Sequence, residues 1–137
     1  MIDKLIPGLT AELEICVTEA DTASRWGSGL VPVFSTPALV GLMEGAAVQV
    51  TREGLAAGQT TVGVHIDVHH LAATPVGMRV HARAELTAVD DRKLTFQIKA
   101  WDDVEPIGEA LHERFIIDET RFVAKAQAKG EKGSSRS

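Results

Sequence analysis

Between Ala38 and Val50 the only polar residues are Glu44 and Gln49. At 100° per residue, Leu39, Val40, Leu42, Met43, Ala46, Ala47, Val48 and Val50 are distributed around nearly the whole circumference of a helix. Such a helix must be covered on most sides, so the rest of the chain has to wrap it. Ser35-Thr36-Pro37 supplies a capping hydroxyl and a proline suited to the first turn, which predicts a helix over 38–53 that stops at Gly54 and Gly58.

The remaining segments have the period of two that a wrapping sheet requires. Leu9, Ala11, Leu13, Ile15 and Val17 alternate with polar residues before the helix. After it, Val62, Val64, Ile66 and Val68 share one phase, as do Met78, Val80, Ala82, Ala84, Leu86 and Ala88, and then Leu94, Phe96, Ile98 and Ala100. Asp90-Asp91-Arg92 reads as a hairpin turn, and the mixed phase of 107–117 predicts a bulge or a doubly covered position. Residues 21–29, with Gly27-Ser28-Gly29, form a flexible, lid-like connection. One buried helix with antiparallel strands before and after it predicts an α+β domain over 1–128, in which a curved sheet encloses the helix. Residues 129–137 are expected to be a flexible tail. Open sheet edges point to pairing with a second copy, hence a homodimer.

With 137 residues, 45% hydrophobic and 24% charged, the chain is one ordinary globular domain. No apolar run is long enough to cross a bilayer and no leader pattern occurs, so a cytoplasmic protein without a membrane partner is expected. From Arg121 onward there are five basic residues and one acidic, which leaves the first 120 residues at a net −9. That sign argues against a nucleic-acid partner. The single cysteine, Cys16, forms no intrachain disulfide and lies beside Glu12 and Glu14, where a thiolate is disfavoured.

Glu44 is the first candidate for chemistry, because a carboxylate within an apolar helix needs a cavity or a compensating partner. A solvent-reaching Glu, or one paired with an arginine, accounts for it about equally well. His70 continues the phase of Val62 to Val68 and is expected on the face that packs on the helix. A satisfied core histidine is the commoner explanation for one such residue. A Glu and a His facing each other across the helix–sheet gap would form a general-base assembly. Thr36 brings a hydroxyl to the helix start, either as a cap or as a group that orients substrate. Eight residues of helix rise about 12 Å, so Thr36 reaches Glu44 only by folding back or across a dimer. His65, Asp67, His69 and His81 could hold zinc, but ordinary strand alternation explains their spacing equally well, and no metal site is expected. No G-x-S-x-G elbow or nucleotide-binding glycine loop occurs.

Thr36-x7-Glu44 within "VGLMEGAAV", followed by "HHLAATPVGM" and "GEALHER", resembles the fluoroacetyl-CoA thioesterase type of hotdog enzyme over residues 34–125. The resemblance implies a hotdog fold and hydrolysis of a small or short-chain acyl-CoA at a dimer interface. Thr36, Glu44 and His70 would be the catalytic set, and Gly63 and Arg114 would line the acyl pocket and substrate channel. Glu44 would act either as nucleophile or as general base for water. Coenzyme A belongs to the substrate, and no metal or redox cofactor is implied. Leu30 stands where the fluoroacetyl-specific pattern has a gating phenylalanine, and Pro37 where it has a glycine, so the resemblance carries the thioesterase class and not the fluorinated acyl group. A non-catalytic acyl-CoA binding protein and a hotdog enoyl-CoA hydratase are the alternatives, since fold by itself does not determine activity.

Overall fold

A computed structural model describes residues 4–134. The elements are β1 (Thr10–Cys16), a 3-10 turn (Glu19–Asp21), α1 (Ala23–Trp26), α2 (Thr36–Thr51), β2 (Gln59–His70), β3 (Arg79–Asp90), β4 (Lys93–Asp102), β5 (Pro106–Asp118) and α3 (Glu119–Ser134). The strands form one antiparallel sheet in the order β1-β3-β4-β5-β2, and α2 lies across its inner face, touching all five strands. This is the α+β arrangement expected of the pattern. No helix among the described residues is long and apolar enough to cross a membrane.

Helix α2 begins at Thr36 because Ser35 caps it: the Ser35 Oγ accepts the Ala38 N–H at 3.2 Å, and Pro37 occupies the first turn. It ends at Thr51, two residues short of the predicted limit. Leu39, Met43, Ala46 and Ala47 are fully buried against Val80, Ala82, Ala84, Leu86 and Phe96. The small residues of β3 let the helix sit close to the sheet. Burial is not complete around the helix, however. Gly41 is exposed, and Val40, Glu44 and Val48 are only half-buried, so one side of α2 stays open.

The hairpin between β3 and β4 turns through Asp91 and Arg92, with Asp90 paired to Lys93 and Asp91 in the left-handed region at φ 56°. The mixed phase of β5 resolves into a bulge: Ala100 pairs with Gly108 and Trp101 with Pro106, leaving Ile107 as the extra residue. Beyond it Gly108, Ala110, His112, Arg114 and Ile116 share the inner face.

Two expectations need correction. Gly63 pairs with Arg114 and His65 with Glu113, so Val64 is an unpaired extra residue in β2. The single phase assigned to Val62, Val64, Ile66 and Val68 is therefore broken. Before the bulge Thr61 and Gly63 face the helix; after it Ile66, Val68 and His70 do, while Val64 is 52% exposed. The flexible tail expected over 129–137 is helical as far as Ser134, and residues 135–137 lie outside the described part. Asp118 explains the start of α3, since its Oδ1 accepts the Arg121 N–H at 3.0 Å, and the alanines, lysines and glutamine that follow are good helix formers.

The connections at one end of the sheet are tied down by a buried carboxylate. Asp102 accepts hydrogen bonds from Val104 N at 2.9 Å, Glu105 N at 3.0 Å and Thr74 Oγ1 at 2.9 Å. The Thr74 carbonyl in turn accepts the Phe34 N–H at 2.9 Å, which fixes the strand-like approach to Ser35 and Thr36.

Candidate functional site

Because the Ser35 hydroxyl caps α2, the Thr36 hydroxyl is available for another partner. Its Oγ1 lies 2.8 Å from Nδ1 of His70, the last residue of β2. The two residues come together because β2 runs along the helix and ends beside its N-terminus, where the partial positive charge of the helix favours developing negative charge. Thr36, His70, Phe34, Ser35 and Ala72 line an open cleft of about 340 Å³. The Phe34 ring meets the imidazole edge-on with centroids 6.5 Å apart. His70 Nε2 is buried without a hydrogen-bond partner among the described residues. Burial lowers the pKa of His70 below the ordinary histidine value, offset in part by the backbone of Ala72, so the ring is neutral near pH 7.

A second group of residues lies two turns further along α2. Glu44 is paired there with Arg114, whose Nη1 is 3.4 Å from Glu44 Oε2. The arginine is held from several sides. Its Nε donates to Thr61 Oγ1 at 2.9 Å, its Nη2 to the Thr61 carbonyl at 3.1 Å, and its Nη1 also lies 3.1 Å from His112 Nε2. Burial disfavours the guanidinium charge, and the Glu44 carboxylate compensates in part. His112 Nδ1 lies 2.7 Å from the His65 carbonyl, beside the β2 bulge. A carbonyl only accepts, so Nδ1 carries the proton and Nε2 is the acceptor facing Arg114. Burial foremost, and Arg114 in addition, lower the pKa of His112.

Gly63 completes this group. A Cβ on it would stand 2.8 Å from Glu44 Oε2, 3.2 Å from Arg114 Nη1 and 3.2 Å from His112 Cε1. The glycine is what lets the carboxylate and guanidinium approach the strand.

The predicted residues thus fall into two clusters. Thr36 meets His70, and Glu44 meets Arg114 and Gly63. The Glu–His pair expected across the helix–sheet gap does not form within the chain, because Arg114 is the partner of Glu44. Leu30 is 97% exposed in the connection before α2 and is not part of the cleft wall. His112 and Thr61 were missed. The signal for His112 was the alternation on β5, where it and Arg114 occupy an inward phase otherwise made of Gly108, Ala110 and Ile116, whereas Thr61 on β2 carried none.

The polar strand residues considered as metal ligands are dispersed. His69 lies 3.8 Å from Asp67 on β2, whereas His81 is on β3, 3.6 Å from Glu12 and 3.5 Å from Glu14, and stacked on Trp101. Among the described residues no three His, Cys, Asp or Glu side chains converge as a metal site would require. Cys16 is exposed, its Sγ 3.5 Å from the Gly77 carbonyl.

With this geometry in place, the comparisons with known proteins are specific. Residues 17–120 match the family model described as fluoroacetyl-CoA-specific thioesterase. The fluoroacetyl-CoA thioesterase of Streptantibioticus cattleyicolor is 42% identical over 97 residues, which span 71% of this chain and 70% of that protein. A solved structure of a fluoroacetyl-CoA thioesterase superposes with a TM-score of 0.86 at 34% identity, covering 90% of this chain and 96% of the other. A thioesterase superfamily member from Thermus thermophilus superposes with a TM-score of 0.88 at 25% identity, covering 95% of this chain and 96% of that one.

Proposed function

Because the chain belongs to the fluoroacetyl-CoA-specific thioesterase family, we propose that it hydrolyses the thioester of a small acyl-coenzyme A. The observation that carries this reading is the 2.8 Å contact between Thr36 and His70 in a cleft at the α2 N-terminus, with His70 Nε2 buried and unpartnered. A buried polar atom left without a partner beside a cleft is a place for a reacting group.

The reaction adds water to the thioester carbonyl carbon and breaks the C–S bond. It yields a carboxylic acid and the coenzyme A thiol. Thr36 orients the carbonyl and fixes the His70 ring through Nδ1. His70, neutral at physiological pH, takes and returns a proton at Nε2 as the thiolate leaves. Glu44, its Oε2 held by Arg114, activates water or attacks the carbonyl itself through an acyl-glutamyl anhydride. No resident metal or redox cofactor enters this scheme, and the only cofactor chemistry belongs to the substrate.

Eight residues of α2 separate Thr36 from Glu44, a rise of about 12 Å, which is too far for both to serve one carbonyl in the same protomer. A homodimer resolves this by bringing the Thr36 and His70 cluster of one copy to the Glu44 and Arg114 cluster of the other. The half-covered side of α2 and the long β2 edge, with Val64 and Leu71 exposed, support that assembly.

A panel of acyl-CoAs, including acetyl-CoA and fluoroacetyl-CoA, followed by detection of free thiol, tests the reading. Thiol release is expected to fall at least about a hundredfold in Glu44→Ala and His70→Ala. Wild-type turnover in both folded variants refutes it. Tight acyl-CoA binding with no thiol release from any substrate would establish a binding protein instead.

A further inference from the structure

We propose that His112 is a positioning residue for this hydrolysis, locking Arg114 in the one orientation that holds Oε2 of Glu44 and leaves the other carboxylate oxygen to react. The inference rests on the thioesterase reading above.

Arg114 has enough donors to turn toward several acceptors, yet the structure fixes each of its nitrogens. Thr61 takes Nε and Nη2 through its hydroxyl and its carbonyl, which sets the plane of the guanidinium. Those two bonds also place Nη1 of the rigid guanidinium, but they leave its own N–H groups to be met by other acceptors. That is the function of His112, 1% exposed, whose Nε2 accepts from Nη1 at 3.1 Å while Glu44 Oε2 stands 3.4 Å away. The acceptor character of Nε2 is imposed from the far side of the ring by the His65 carbonyl at 2.7 Å. A ring protonated on Nε2 would place a donor against a donor, and an imidazolium would place two cations together.

The bulge at Val64 lies between the two bonds that fix this arrangement. It brings Gly63 opposite Arg114 and His65 opposite Glu113, so the residue that leaves room for Glu44 and the carbonyl that fixes the His112 tautomer come from either side of one extra residue. Around the ring stand Arg114 on β5, Glu44 on α2, His65 on β2 with both its carbonyl and its imidazole, and Phe96 on β4 with its ring centroid 6.1 Å from that of His112. His112 is itself buried and reaches Glu44 only by way of Arg114, so it acts through Arg114 and not on the substrate.

Two substitutions separate positioning from packing. His112→Phe keeps a ring but removes donor and acceptor, whereas His112→Gln retains one of each. With acetyl-CoA, or the best substrate of the panel, His112→Phe is expected to lower kcat about tenfold or more with KM within about twofold, and His112→Gln to recover most of the loss. In an Arg114→Met background, His112→Phe is expected to cause no further loss in kcat, because both changes remove the same restraint. Nitrogen-15 NMR of the resting wild-type protein should show His112 protonated on Nδ1 alone at neutral pH, a readout independent of turnover and of variant folding. Either of two results overturns the inference by itself: His112 protonated on Nε2, or wild-type turnover that Glu44→Gln abolishes while folded His112→Phe keeps kcat within twofold. Loss in His112→Phe that simply adds to the Arg114→Met loss also overturns it. A wild-type protein that releases no thiol from any acyl-CoA removes the thioesterase reading and this inference together.

Discussion

Gly63→Ala places one methyl group where the structure has no room for it. The backbone at Gly63 lies outside the left-handed region, which the described glycines Gly8, Gly27, Gly58 and Gly77 occupy, so alanine is acceptable to the main chain. The obstacle is the contact at 2.8 Å between the new Cβ and Glu44 Oε2, against about 3.4 Å for ordinary contact. The carboxylate must withdraw by about 0.6 Å, and the Arg114 Nη1 at 3.2 Å must yield slightly as well. The Glu44–Arg114 contact is already 3.4 Å long, so this shift takes it out of hydrogen-bonding range. Both groups are flexible side-chain ends, and a Gly-to-Ala change at a compatible backbone position is worth about 0.4–1 kcal/mol in favour of folding. Stability is therefore expected to stay within about 1 kcal/mol of wild type. Displacing a reacting group by somewhat under 1 Å costs roughly 10–100-fold in rate. The assay is thiol release at saturating acyl-CoA beside thermal and urea unfolding of the same preparation. A folded Gly63→Ala enzyme with kcat within twofold of wild type would refute the reasoning, as would an activity loss that merely tracks unfolding.

The depressed pKa values of His70 and His112 fix a pH dependence. Both rings bind protons more weakly folded than unfolded, where the value is near 6.5, so this contribution to stability is complete above 6.5 and declines as pH falls through it. The acid limb of kcat/KM that reports His70 is expected below pH 6.5, and a limb at or above that value contradicts a neutral, buried His70. Burial raises the pKa of Asp102, but its hydrogen bonds from Val104, Glu105 and Thr74 outweigh burial and hold it below 3.8. Its stabilisation is thus full above that pH and lost as pH falls through the folded pKa. Asp102→Ala should cost about 2–4 kcal/mol in urea unfolding at pH 7, because three donors lose a charged acceptor. In sedimentation, the 14.7 kDa chain is expected at twice its mass, and Val64→Lys on the β2 edge should yield monomers with greatly reduced thiol release. Full activity in a monomer would refute assembly of the site across two copies.

Much of the fold was legible because each signal was local. The apolar run from Ala38 to Val50 required an enclosed helix, Ser35 and Pro37 marked its start, alternation outlined four strands whose β3–β4 turn falls at Asp91 and Arg92, and the apolar segment 107–117 marked the fifth despite its mixed phase. Glu44 and His70 stood out for the same reason, as ionisable residues at positions where apolar ones were due. The helix over Glu119–Ser134 was less visible: Gly130 and Gly133 resemble a linker, whereas the cap that starts the helix is the single side chain of Asp118.

What pairs with what was not legible. The amino-acid sequence by itself determined an α+β domain with a covered helix, a carboxylate within it, and a histidine on the strand that follows. Tertiary structure decided that Thr36 meets His70, that Arg114 takes Glu44, and that His112 stands behind Arg114. The physical reason is the bulge at Val64: one unpaired residue reverses every side chain on one side of it, and periodicity cannot register an insertion made visible only by a partner strand about fifty residues away. Gly63, which alternation alone would have turned away from the helix, is thereby placed where its missing side chain makes room for Glu44.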